Sequence, residues 1–193
     1  MKNNAIFLFV VASAFFIVAA TPERSSSGAP GGHTGAPDEQ TCAASGCHDD
    51  RPTNNGTANL SIEVANGISN YIPGKTYEVK IKIADEGVNR FGFQLIALTN
   101  ETRSTAGTFE IIDFARTQLV KDPKNFPDRT YVTYSFKGTD ATEKGMSEWT
   151  VKWTAPKENV GSVVFYAAGV SANDDMTDKN DNVYTVSKVM NNQ

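Results

Sequence analysis

Tyr77-Glu78-Val79-Lys80-Ile81-Lys82-Ile83 alternates without a break between apolar and charged side chains. Successive side chains of an extended strand point to opposite faces, so Tyr77, Val79, Ile81 and Ile83 line a buried face while Glu78, Lys80 and Lys82 stay in water. One wet face and one dry face is the signature of an antiparallel sheet. Just upstream, Ile72-Pro73-Gly74-Lys75 reads as a turn, with proline presetting the first central φ and glycine accepting the positive φ that a type II turn demands next.

Outward from this strand the same period recurs in residues 60–64, 91–98, 108–112, 131–136, 149–153, 163–168 and 183–189, with turn residues between them and no run of helical period. Trp149, Val151 and Trp153 share one strand face, and Phe91, Phe93 and Leu95 share another. Two such faces packed about 10 Å apart make a sandwich core. The expectation is an all-β domain over residues 57–193, an Ig-like antiparallel β-sandwich of about seven to nine strands.

The N-terminal third has a different texture. A single Lys2 precedes an apolar run from Ala5 to Ala20, too short for the roughly 20 residues of a membrane span. Val18-Ala19-Ala20 places small residues where a signal peptidase reads, so residues 1–20 are predicted to be a signal peptide. Residues 21–56 form a Gly/Pro-rich leader, with Ala29-Pro30-Gly31-Gly32 and Gly35-Ala36-Pro37 and almost no large apolar side chain. Such a segment cannot bury a core of its own. An excess of 22 acidic over 18 basic residues disfavours nucleic acid or an anionic membrane as the main partner.

Both cysteines and one of the two histidines fall within Cys42-Ala43-Ala44-Ser45-Gly46-Cys47-His48. In c-type haem attachment two thiols form thioethers with the porphyrin, and the His directly after the second Cys ligates iron. Cys42 and Cys47 are therefore the candidate attachment points for covalent haem c, and His48 the candidate proximal ligand, with the sixth position open among Met146, Met176 and His33. The same two thiols can instead close a small disulfide loop in an oxidising compartment, leaving His48 a surface residue. A zinc site would need Asp49, Asp50 or His33 as a further ligand and matches no finger spacing.

Gly31-Gly32-His33-Thr34-Gly35-Ala36-Pro37, Tyr71-Ile72-Pro73-Gly74-Lys75-Thr76-Tyr77, Arg90-Phe91-Gly92-Phe93-Gln94-Leu95 and Trp153-Thr154-Ala155-Pro156 together resemble the reelin-domain-like (Reeler) exported proteins of the Bacteroidota. The resemblance implies a Gly/Pro-rich leader with a haem-type motif ahead of an Ig-like sandwich. Two departures stand out: the family motif resembles C-x-x-C-H whereas four residues separate Cys42 from Cys47, and Tyr134 stands where relatives often carry a His. Relatives often continue into a sorting or anchoring extension; this chain ends at Gln193, so the expectation is a periplasmic or secreted protein with no span in its mature form.

The segment from Asn173 to Asn182 concentrates oxygen ligands of the kind calcium takes but lacks the EF-hand order, and a solvated Asn/Asp turn is the favoured account of it. Two histidines, one already assigned, leave no Ser/His/Asp arrangement, and no enzyme activity is expected. Two functions remain. One is an electron-transfer module with a redox partner. The other is an extracytoplasmic binding or adhesion module for a glycan, matrix component or envelope protein, with a structural Cys42–Cys47 disulfide. The exported protein is expected to begin at Thr21, and an intact mass that still includes residues 1–20 overturns the cleavage.

Overall fold

The computed structural model describes residues 27–193; the expected signal peptide and cleavage site lie outside the described residues. Ten strands follow in order: β1 (Asn59–Val64), β2 (Asn70–Tyr71), β3 (Thr76–Ala84), β4 (Arg90–Thr99), β5 (Thr108–Ile111), β6 (Thr117–Asp122), β7 (Phe126–Tyr134), β8 (Met146–Thr154), β9 (Val163–Ala172) and β10 (Asn182–Asn192). A single 3-10 turn, Phe136–Thr139, follows β7. They form two sheets, β1-β3-β8-β5 and β2-β10-β9-β4-β7-β6, antiparallel throughout except where the short β2 runs alongside the end of β10.

The register places the expected faces against each other. Tyr77 pairs with Trp153, Val79 with Val151 and Ile81 with Trp149 across β3 and β8. All six point inward and are buried. From the facing sheet, Phe165 meets Trp153 edge-on at 4.9 Å and Phe93 meets Trp149 at 4.5 Å. Each indole N–H finds an acceptor in the wall, Trp153 Nε1 donating to Ala106 O at 2.8 Å and Trp149 Nε1 to Gly138 O at 2.9 Å, so neither tryptophan buries an unmet donor.

β4 departs from simple alternation. From Phe91 to Thr99 every residue is buried. Phe91, Phe93, Leu95 and Ala97 fill the sandwich core. On the opposite face Ile96 and Leu98 pack with Tyr131 and the leader's Ala36, while Ala168, Val170 and Val183 pack beneath Cys42. The leader, although it cannot form a core by itself, covers the outer face of the six-stranded sheet.

Polar anchors fix this cover. Gln94, fully buried, donates through Nε2 to Pro30 O at 2.7 Å and accepts His33 N at 2.7 Å. Glu39 accepts from Arg129 Nη1 at 2.5 Å and from the Tyr131 hydroxyl at 3.0 Å, and the Thr34 hydroxyl also donates to it. Gly31 explains the glycine density: a Cβ there would stand 2.9 Å from the backbone N of Asp122 and from the Tyr131 ring. The leader backbone lies too close to the sheet for a side chain.

Removing one member of a buried ion pair leaves the other charge without compensation, a loss of about 3–5 kcal/mol. Glu39→Ala is therefore expected to lower the unfolding free energy by about 3 kcal/mol, read as a shift of the urea midpoint at unchanged slope. A change within about 0.5 kcal/mol would show that the leader contributes nothing to the fold.

Candidate functional site

The Cys42–His48 segment is a tight loop on the outer face of the six-stranded sheet. Ala44 N donates to Thr41 O at 3.0 Å, Cys47 N to Ala44 O at 2.9 Å, and His48 N to Cys42 O at 3.2 Å, so the chain turns back and brings the residues around the two thiols together. Gly46 adopts φ +82, a conformation that favours glycine, and its N–H donates to Asp49 Oδ2 at 3.0 Å. Both cysteines are free thiols. Cys42 is buried on Ala168, Val170 and Val183, and its Sγ lies 4.0 Å from His33 O; Cys47 is half-buried.

His48 is held from the far end of the chain. Its Nδ1 lies 2.6 Å from Asp181 Oδ2, and Asp181, only 1% exposed, accepts Asn173 N through its other oxygen at 2.9 Å. A buried carboxylate on Nδ1 fixes the ring orientation and the tautomer that carries its proton there, leaving Nε2 as the atom able to coordinate. Further bonds zip the loop to residues 173–182: Lys179 Nζ to Asp49 Oδ1 at 3.0 Å, Asn180 N to Asp50 Oδ2 at 2.8 Å, and Arg51 to Asn180 and Asn182 at 3.2 Å.

The electrostatics oppose thiolate chemistry. Burial, reinforced by the neighbouring Cys47, pushes the Cys42 thiol up to about 12. Burial and then the carboxylates of Asp49 and Asp178 raise that of Cys47. Tyr134 also sits high, chiefly through burial and then through Cys42 and Cys47. Its ring lies over Gly92, where a Cβ would stand 2.7 Å from Tyr134 Cε1. Gly92 pairs with Val170, on which Cys42 packs, so Tyr134 and the motif share one row across the sheet.

Among the described residues, no group of three or more His, Cys, Asp or Glu side chains is arranged to hold a metal ion. The fit to haem is divided. His48, held at Nδ1 by Asp181, keeps Nε2 for coordination, whereas Cys42 is packed beneath its loop and could reach a porphyrin only if the loop lifted. The Asn/Asp segment does not fit calcium: Lys179 Nζ already sits 3.0 Å from Asp49 and 3.4 Å from Asp178, and Asp175 Oδ1 accepts the N–H and hydroxyl of Thr177.

Cys42, Cys47 and His48 share one loop, and sequence reasoning missed Asp181 as the group that orients His48. Asp181 lies 133 positions from His48 in a run of similar residues, and nothing local separates it from Asp174 or Asp178. A second surface was also unforeseen. Beside the open edges of β5 and β6, a cleft of about 320 Å³ is lined by Ile112, Asp113, Arg116, Thr117, Glu148 and Thr150 among others. Phe114, next in the chain to the lining residue Asp113, is 79% exposed, and Phe136, which follows β7, is 63% exposed. Arg116 is pinned by Lys137 O, Asp140 O and Ser147 Oγ at 2.9–3.2 Å, which makes this loop rigid.

The family model of the Reeler domain matches residues 40–176. Among solved structures, the crystal structure of the human F-spondin reeler domain is 28% identical over 69% of this chain and 89% of that one, with a TM-score of 0.52. The Reelin-N domain of F-spondin is 30% identical, covering 69% of this chain and 86% of that one, with a TM-score of 0.51. No curated protein matches the sequence.

In the reduced protein an alkylating reagent is expected to label Cys47 first and Cys42 only after unfolding. The folded Cys42 thiol ionises near 12 and the unfolded one near 9.0, so the unfolded state sheds its proton first and the reduced protein loses stability as pH climbs from 9.0 toward 12. Cys42→Ala should flatten that part of the pH–stability profile; an unchanged slope would refute the burial of the thiol.

Proposed function

The chain belongs to the Reeler domain family, and on that premise we propose that it is an extracytoplasmic binding or adhesion module built on a rigid β-sandwich. The family match carries this reading, because it spans β1 to β9 and the motif loop together. Reeler relatives act outside the cell as binding modules and not as enzymes. Among the described residues no helix is long and apolar enough to cross a membrane. The ligand classes that suit such a module are a glycan, a matrix component or an envelope protein.

In this reading Cys42 and Cys47 form a structural disulfide after export. A thiol oxidant of the disulfide class takes two electrons and two protons from the pair, and one S–S bond replaces two S–H bonds. The closed loop then keeps the leader's turn in shape over Val170 and Val183, and the high thiol pKa values are of no consequence because neither sulfur ionises.

One observation favours a second reading. The Asp181 carboxylate on His48 Nδ1 is the arrangement that prepares an imidazole to coordinate through Nε2. If haem c is attached, Cys42 and Cys47 would hold the porphyrin and His48 Nε2 the iron, and the bound group would supply one-electron exchange. Asp181 would then orient the ligand, and Tyr134, in the same row, would face the group's surroundings.

Thioether and disulfide compete for the same sulfurs, so a single measurement separates the readings. Expressed with cytochrome c maturation machinery, the protein is expected to yield a Cys42–His48 peptide two hydrogens lighter than the dithiol, without added haem, and the haem-free protein is expected to co-sediment with the insoluble envelope fraction of its own host. A covalent haem mass on that peptide, lost in Cys42→Ala and Cys47→Ala, would transfer the assignment to electron transfer.

A further inference from the structure

Asparagine directly followed by glycine occurs twice in the chain, at Asn55-Gly56 and at Asn66-Gly67. The pair carries a latent reaction. The backbone nitrogen of the second residue can attack the asparagine carboxamide, and glycine, with no side chain, leaves that approach open. All four residues are exposed, in connections outside the strands. Exposure therefore does not separate the two sites; the hydrogen bonding of the attacking nitrogen does.

Asn66-Gly67 lies in a closed turn after β1. Ala65 N donates to Glu78 O at 2.9 Å, Gly67 N to Val64 O at 3.0 Å, and Ile68 N to the same oxygen at 3.1 Å. The Gly67 N–H, which must lose its proton and swing toward the carboxamide, is thus committed to Val64. At Asn55-Gly56 the anchors fall on either side of the pair. Asn54 N donates to Val183 O at 2.7 Å, Asn54 Oδ1 accepts Thr185 N at 2.9 Å, the Thr57 hydroxyl donates to Asp85 Oδ1 at 3.2 Å, and Ala58 N donates to the Tyr184 hydroxyl at 3.2 Å. Between them, among the described residues, neither the Asn55 side chain nor the Gly56 N–H has a hydrogen-bond partner. Position 56 also needs glycine for packing, since a Cβ there would overlap the Tyr184 hydroxyl. The fold that demands glycine at 56 thereby supplies an unhindered nucleophile.

We propose that Asn55 is a site of spontaneous backbone modification, converting through a succinimide to aspartate and isoaspartate in the folded protein, while the turn protects Asn66. Gly56 N loses its proton and bonds to Asn55 Cγ; the bond from Cγ to the side-chain nitrogen breaks, and ammonia leaves. Water then adds to one of the two imide carbonyls and breaks that carbonyl's bond to nitrogen. Opening at Cγ restores a normal chain with aspartate at 55; opening at the main-chain carbonyl gives isoaspartate. The sum is one water consumed, one ammonia released and one carboxylate gained, with no change of oxidation state. Isoaspartate routes the chain through the former side chain and adds a methylene between Asn54 and Thr57. Both of these residues are anchored, so the added length acts on the clamp that Asn54 places on Thr185 at the edge of β10.

The inference goes beyond the binding-module reading and does not depend on it. The mature protein is incubated folded in warm, mildly alkaline buffer and then cleaved after glutamate, which separates the two sites at Glu63. The fragment with Asn55 is expected to gain about one mass unit, placed on residue 55 by fragmentation and labelled by an isoaspartyl methyltransferase. The fragment with Asn66 is expected to convert about tenfold more slowly, the factor supplied by a hydrogen bond of ordinary strength that must break before attack. In urea the two sites are expected to convert at equal rates, because both are Asn-Gly. Asn55→Gln, which would have to close a larger ring, is expected to lose the label from that fragment. Equal rates in the folded protein, conversion of Asn55 only after unfolding, or a label that survives Asn55→Gln overturns the inference. A rate difference that persists in urea also overturns it, since the local sequence and not the fold would then set the rates.

Discussion

The six-stranded sheet has two apolar faces, and the rest of the structure follows from the need to keep both out of water. A sheet with a single dry face is satisfied by one partner layer. Here the inner face receives β1-β3-β8-β5, and the outer face, with Ile96, Leu98, Tyr131, Val170 and Val183, has no sheet to meet. The leader supplies the missing layer without being a sheet. An irregular chain pairs only part of its backbone groups with each other, and a buried unpaired group costs about 1–3 kcal/mol. Gln94 and Glu39 answer that constraint by supplying side-chain partners to the leader at fixed points. The glycines answer the remaining one, distance.

The motif loop can be understood within the same constraint. After Gln40 the leader must reverse and travel to the start of β1, and the Cys42–His48 loop makes that reversal. Cys42 behaves as a small apolar side chain in the layer, and His48 with Asp181 fastens the reversal to the β9–β10 connection. Structural and ligand-holding roles draw on the same geometry, since an imidazole locked by a buried carboxylate is both a strut and a prepared ligand. That overlap is why chemistry at the two sulfurs, and not the position of His48, discriminates between the readings.

Most strands were legible in the sequence because one-sided burial writes a period of two. β3 and β8 show it most clearly, and Trp149 and Trp153 lie in the core as their spacing requires. β2 and β6 were not read. β2 is two residues long, and β6, Thr117-Gln118-Leu119-Val120-Lys121-Asp122, has polar and apolar residues on both faces because it sits at an edge with the leader on one side and the cleft on the other. β7 begins at Phe126, ahead of the expected residue 131, since its first half pairs only with β6 and carries no core side chain to mark it. The leader's role was hidden for a related reason: small residues that pack against a sheet look the same in sequence as small residues that pack against nothing. Cys42, Cys47 and His48 were visible as a local cluster, while Asp181 became visible only when the fold carried it across the molecule.

The outer-face cover also divides the surface of the domain. At the β10 side, the leader, β2 and the 173–182 segment close the sheet edge with backbone and side-chain hydrogen bonds. At the β5 and β6 side, the two sheets end beside each other with a cleft between them and exposed phenylalanines on a loop held by Arg116. Exposed aromatic side chains on a backbone that cannot relax inward retain their apolar area for a partner. The motif loop and the β6 edge are therefore physically separate: oxidation or ligation at Cys42 and Cys47 acts on the layer over Val170 and Val183, whereas β6 lies at the opposite margin of the same sheet. A change at one can reach the other only through the rows of β9, β4 and β7, whose tight packing between two covered faces leaves little room for movement.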